Sequence, residues 1–191
     1  AVWNQLANLH GHTGDPKLAF DYYAKAIELD PTESVYYHNF GTTVYLFRKD
    51  AMEHYGITEL QVFEKALDLY AKAMQHDPTN FLLAADVAQT YYGIRPLRTD
   101  DALRSWTNAL SLAQTEIDRE GVYIHFARIK LLAGRFDEAR AHLNAVTNEA
   151  HAVLKDRVAK SLEQHMHDAQ NTNAPPAESP PSDAATPANK D

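Results

Sequence analysis

Apolar positions recur every three to four residues along most of the chain. The clearest run is Leu60, Phe63, Leu67, Tyr70 and Met74, which step three, four, three and four along one helical face. Thr58 stands three residues ahead of Gln61, a capping box that predicts where this helix begins. Pro16, Pro31, Pro78 and Pro96 fall where such patterns stop, as expected of a residue that lacks an amide hydrogen and breaks helices. No alternating run bounded by turn residues predicts a strand, so the expected fold class is all-α. The pattern ends near Asp168. From Ala169 to Asp191 the chain holds five of its nine prolines and no Leu, Ile, Val, Phe, Tyr or Trp. Such a stretch cannot bury enough apolar area to offset chain entropy, and residues 169–191 are expected to form a disordered Pro/Ala-rich tail behind a folded domain at 1–168.

The helical segments repeat. Asp30-Pro31-Thr32 recurs as Asp77-Pro78-Thr79, each after an Ala-rich helix that carries Ala19, Tyr23 and Ala26 in the first case and Ala66, Tyr70 and Ala73 in the second. Trp3, Leu6 and Ala7 precede the first set. Their counterparts are Tyr37, Phe40, Gly41 and Val44, then Ala84, Val87, Ala88 and Tyr91, then Tyr123, Phe126, Ala127 and Lys130. The later half recurs as Ala102, Trp106 and Ala109, and as Ala139, Leu143 and Val146. Large beside small, as in Leu6 with Ala7 or Phe40 with Gly41, is what lets two helix backbones approach closely. Neither helix of a pair can bury its stripe alone, so the pairs must stack.

These spacings resemble the 34-residue tetratricopeptide repeat, with Trp3, Leu6, Ala7, Ala19, Tyr23, Ala26 and Pro31 on its signature positions and His10 where it has Tyr. The resemblance implies a right-handed α-solenoid of antiparallel helix pairs. The units lie at about 1–33, 34–80, 81–119 and 120–153, and an amphipathic capping helix at 150–168 closes the array. At the other end the array starts almost on Trp3, and further repeats are expected ahead of Ala1. The second unit is too long: Pro31 to Pro78 is a step of 47 residues, and the excess lies between Tyr45 and Glu64. Periodicity runs into it through Val44, Phe47, Ala51 and Tyr55 and out through Leu60, Phe63 and Leu67, which predicts an elongated hairpin over 44–67. Six or seven extra residues per helix would project it about 10 Å.

Chemistry narrows the function classes. Lys and Arg number 18 against 26 Asp and Glu, a net charge of −8, which argues against a phosphate backbone as partner. Without cysteine there is no thiolate and no sulfur-held metal. The longest apolar run is the five residues from Phe81 to Ala85, too short to span a membrane, and a soluble, cytoplasmic setting is preferred to a periplasmic or secreted one. The ten histidines suggest a metal, but His10 with His12 and His165 with His167 are two apart and point to different helix faces. Asp100 and Asp101 follow Thr99 at an expected helix start and are taken as capping residues. No cofactor, metal or catalytic set is expected, and a metal-dependent hydrolase is a remote alternative to a non-enzymatic scaffold.

The resemblance implies a groove along the first helices of successive pairs, made by Asn4, Asn8, Gly11 or His12; His38, Thr42, Tyr45; Ala85, Gln89, Tyr92; and Ile124, Arg128, Leu131. Asn4, Asn8, His38, Thr42, Tyr45, Gln89, Tyr92 and Arg128 are the candidate peptide contacts, since amides and hydroxyls bond a backbone and tyrosines add area at low entropic cost. One subclass of the family holds a carboxylate with two Asn and three cations. Asn8 and Asn39 match its Asn positions, but the cation positions fall on Asn4, Leu82 and Asp86, so a C-terminal tail is not the expected ligand there and an internal segment of a protein partner is. The competing reading is an oligomerising module that pairs through the long hairpin.

Overall fold

The computed structural model describes residues 1–172. The described residues are helical throughout: α1 (Val2–Thr13), α2 (Pro16–Leu29), α3 (Ser34–Leu46), α4 (Arg48–Tyr55), α5 (Glu59–His76), α6 (Phe81–Thr90), α7 (Thr99–Leu112), α8 (Glu116–Leu132), α9 (Phe136–Asn144) and α10 (Ala152–Thr172), with single 3-10 turns at Tyr91–Gly93 and Glu149–His151. No strand occurs among the described residues. Helix α10 continues through Thr172, four residues past the boundary set by composition, and the remainder of the expected tail, 173–191, lies outside the described residues.

Local signals set the helix ends. Asp15 caps α2 by accepting from the Leu18 amide at 3.2 Å, with Pro16 in the first turn, where a missing amide hydrogen costs nothing. The capping box on α5 is present: the Gln61 amide donates to Thr58 Oγ1 at 3.3 Å and the Thr58 amide to Gln61 Oε1 at 2.9 Å. Asp100 and Asp101 lie in the first turn of α7, but neither caps it; Asp101 instead takes ion pairs from Arg98 and Arg104.

Helices pair as α1 with α2, α3 with α5, α6 with α7 and α8 with α9, and consecutive pairs stack through α2–α3, α5–α6 and α7–α8. Helix α10 lies across α8 and α9. Ala7, Ala19, Ala66, Ala102, Ala127 and Ala139 are fully buried, so the small residues stand at the close contacts the repeat pattern implies. Gly41 stands at another such contact: a Cβ there would lie 3.1 Å from Tyr70 Cε1 and 3.3 Å from the Ala66 carbonyl oxygen. The core divides into three clusters, one spanning α1 to α6, one joining α6, α7 and α8, and one joining α8, α9 and α10.

The second unit departs from the expected shape. Helix α3 stops at Leu46, and Phe47, at φ −102° and ψ 44°, turns the chain into the separate helix α4. Helix α4 folds back onto α2 and α5 rather than extending a straight hairpin. Phe20 of α2 meets Tyr55 and His54 at ring separations of 5.7 and 5.5 Å, and Ala51 is fully buried. Apolar contact with the first unit outweighs continuation of α3 into solvent. Leu60, expected in the buried stripe of α5, is 49% exposed. The buried face there comprises Val62, Phe63, Ala66, Leu69, Tyr70 and Ala73, because α5 is packed from several sides and its first turn is not.

Candidate peptide-binding groove

Three hollows follow the first helices of the pairs. The first, of about 210 Å³, lies between α1 and α3 and is lined by Asn8, Gly11, His12, Thr42, Leu46 and Phe47 among others. The second, of about 230 Å³, lies between α6 and α8 over Trp106, with Ala85, Gln89 and His125 on its walls. The third, of about 300 Å³, lies between α8 and α10, lined by Arg128, Leu131, Leu132, Leu154, Arg157, Val158 and Ser161. Asn8, Thr42, Gln89 and Arg128 thus each line one of them.

Most candidate contacts are already bonded within the chain. Asn4 is 9% exposed and accepts from Asn39 Nδ2 at 3.2 Å. Asn8 Oδ1 accepts from the Tyr23 hydroxyl at 2.6 Å, and Thr42 Oγ1 shares a hydrogen with the Tyr70 hydroxyl at 3.0 Å. His38 Nε2 meets Asp86 Oδ2 at 2.7 Å and ties α3 to α6. Tyr45 packs on Phe63, 5.9 Å between centroids. The signature spacing identifies the helix face but not these cross-helix bonds, whose partners lie 15 to 48 residues away. Gln89 is exposed, whereas Ile124, placed by the same spacing, is fully buried in the core.

Tyr92, Arg128, His125 and Trp106 form one assembly. The Tyr92 hydroxyl lies 3.1 Å from His125 Nδ1, and the Arg128 guanidinium sits 4.5 Å above the Tyr92 ring. His125 stacks on Trp106 at 3.9 Å with the rings 9° from parallel. Burial, reinforced by the charge of Arg128, holds the His125 imidazole down at about 4, so it is neutral at pH 7. Burial pushes the Tyr92 phenol up to about 12. His125 carries no signature that would have marked it from spacing alone, whereas spacing marked Trp106 as a repeat position but not as a partner of His125. Among the described residues no three His, Asp or Glu side chains converge on a point that could hold a metal ion, and no helix is long and apolar enough to cross a membrane.

Residues 1–33 match the tetratricopeptide repeat family. No curated protein sequence matches the chain. Among solved structures, a monomeric mutant of IFIT1 with Gppp-AAAA superposes with a TM-score of 0.65 at 18% identity, over 90% of this chain and 39% of that one. The chain therefore spans about two fifths of the IFIT1 length. MamA superposes with a TM-score of 0.58 at 14% identity, over 87% of this chain and 95% of that one. At such identities the likeness is one of fold. Residues 1–33 thus carry the tetratricopeptide-repeat pattern, and the described residues as a whole have an all-α helical-repeat fold similar to that of these two proteins.

Proposed function

We propose that the chain is a non-enzymatic interaction scaffold that holds an internal peptide segment of a protein partner along α1, α3, α6 and α8. The observation that carries this reading is the series of three hollows between successive first helices and the capping helix, each lined by apolar side chains and by at least one group able to hydrogen-bond a backbone. A rigid wall of this kind lowers the cost of ordering a flexible ligand. Pairing of two copies through 44–67 is supported less well, since α4 is engaged by α2 and α5. IFIT1 is seen with a capped oligonucleotide, but the net charge of −8 in this chain favours protein over RNA.

The test is selection of peptides from a displayed library on the purified chain, followed by titration against Gly11→Phe and Gln89→Trp, which fill the first and second hollows. Space exists at Gly11, where an added Cβ would have Thr43 Cγ2 as its nearest neighbour at 3.8 Å, so the fold is expected to survive. Selected peptides should bind these variants about tenfold more weakly or worse. Peptides that bind all forms equally, or a library that yields none, would remove the groove reading.

A further inference from the structure

The nine arginines of the chain fall into three groups. Arg48, Arg98, Arg104, Arg119 and Arg135 each pair with a carboxylate. Arg95 donates to the carbonyls of Tyr92 and Ile94, and Arg140 to Met166 Sδ. Arg128 and Arg157 are the two left with neither an ion pair nor a hydrogen bond among the described residues, and both line the hollow between α8 and α10. The rest of its lining is Leu131, Leu132, Leu154 and Val158 with Ser161, and Leu132 is 54% exposed. Two guanidiniums without a carboxylate partner therefore flank the same apolar hollow, in a chain with 26 acids against 18 cations.

Arg128 is also held in place. Its guanidinium rests on the Tyr92 ring, and that ring is fixed by the hydroxyl contact to His125. A cation positioned in advance loses less side-chain entropy when an anion arrives.

We propose that this hollow anchors a partner segment in which a carboxylate side chain stands next to a large aliphatic one, the carboxylate bridging Arg128 and Arg157 and the aliphatic group filling the space among Leu131, Leu154 and Val158. The inference deepens the groove reading and rests on it for the path of the rest of the segment. The chain's own residues 173–191 are a poor occupant: they include Glu178 and Asp183 but no large aliphatic or aromatic side chain. Nucleic acid would satisfy the guanidiniums but leave the aliphatic wall uncovered.

The experiment uses the full chain and three labelled probes: acetyl-Ser-Glu-Asp-Leu-Leu-Gly-Ser-amide, the same peptide with Gln and Asn in place of Glu and Asp, and a single-stranded oligoadenylate. Fluorescence anisotropy should show the acidic peptide binding about tenfold or more tightly than the neutral one. The double variant Arg128→Gln with Arg157→Gln should lose that discrimination, with circular dichroism reporting an intact fold. Equal binding of the two peptides, undiminished binding to the double variant, no binding of the acidic peptide, or binding of oligoadenylate in its place would each overturn the proposal. If the acidic peptide needs the arginines but is indifferent to Gly11→Phe and Gln89→Trp, this site stands and the longer groove fails. If selected peptides need the first two hollows and ignore the arginines, the groove stands and this site fails.

Discussion

Gly41 and Gly121 both lie inside helices, yet the same substitution should move stability in opposite directions. At Gly41 an added methyl would press on Tyr70 Cε1 at 3.1 Å and on backbone at 3.3 Å, and Gly41→Ala should cost roughly 1–3 kcal/mol. At Gly121 the nearest atom is His151 Cε1 at 3.5 Å, an ordinary contact, and Gly121→Ala should gain roughly 0.5–1 kcal/mol from helix propensity. Urea unfolding midpoints test both, and a shift of one sign in the two variants would refute the packing account. The role of Gly41 was legible in the sequence because it sits beside Phe40 at a repeated position. His125 was not, because its state depends on Tyr92 and Trp106 from other elements. Its imidazole is held at about 4 by burial, against an ordinary 6.5. Between those values the unfolded chain takes up a proton that the folded chain does not, so stability should fall as pH drops from about 6.5 to about 4, by roughly 3 kcal/mol from this group. Unfolding at several pH values, compared with His125→Phe, isolates the effect: the variant should lack this part of the acid dependence.

Helix α4 shows how far periodicity reaches. The surplus length and the helical character on both sides of it were legible, because they depend only on spacing. The fold-back was not, because no glycine or proline marks the turn at Phe47, and the contacts that hold α4 come from α2 and α5, among them the Lys17–Glu53 pair at 2.7 Å and the Phe20–Tyr55 contact from α2. The groove has the same limit. Spacing placed Asn8 and Thr42 on an inner face, but the Tyr23 and Tyr70 hydroxyls that bond them belong to other helices. Phe20, fully buried between Phe40 and the end of α4, is the main apolar link. Phe20→Ala should cost roughly 3–5 kcal/mol, and amide exchange over 48–55 should rise before the rest of the second unit opens. Uniform exchange across 34–76 would show instead that α4 is part of one cooperative hairpin.

The three clusters give the molecule its mechanical character, because they meet only at shared helices. Met74 touches the clusters on either side of the second and third units, and α8 turns Val122, Phe126 and Ile129 toward one neighbour and Ile124, Ala127 and Leu131 toward the other. Each interface therefore stabilises its own two partners, and disturbance should decay with distance along the stack. Glu120 adds a polar tie at the far end, accepting from the Thr147 and Asn148 amides at 2.9 and 2.7 Å, bonds that lower its carboxyl below the usual range. Leu162 of α10, 3% exposed, packs only in the last cluster. Leu162→Asp should loosen α10 and the adjoining face of α8 and α9 while amide protection in α1, α2 and α3 stays at its original level. Loss of protection spread evenly from α1 to α9 would instead require one continuous core, and the stack of separable interfaces would have to be abandoned.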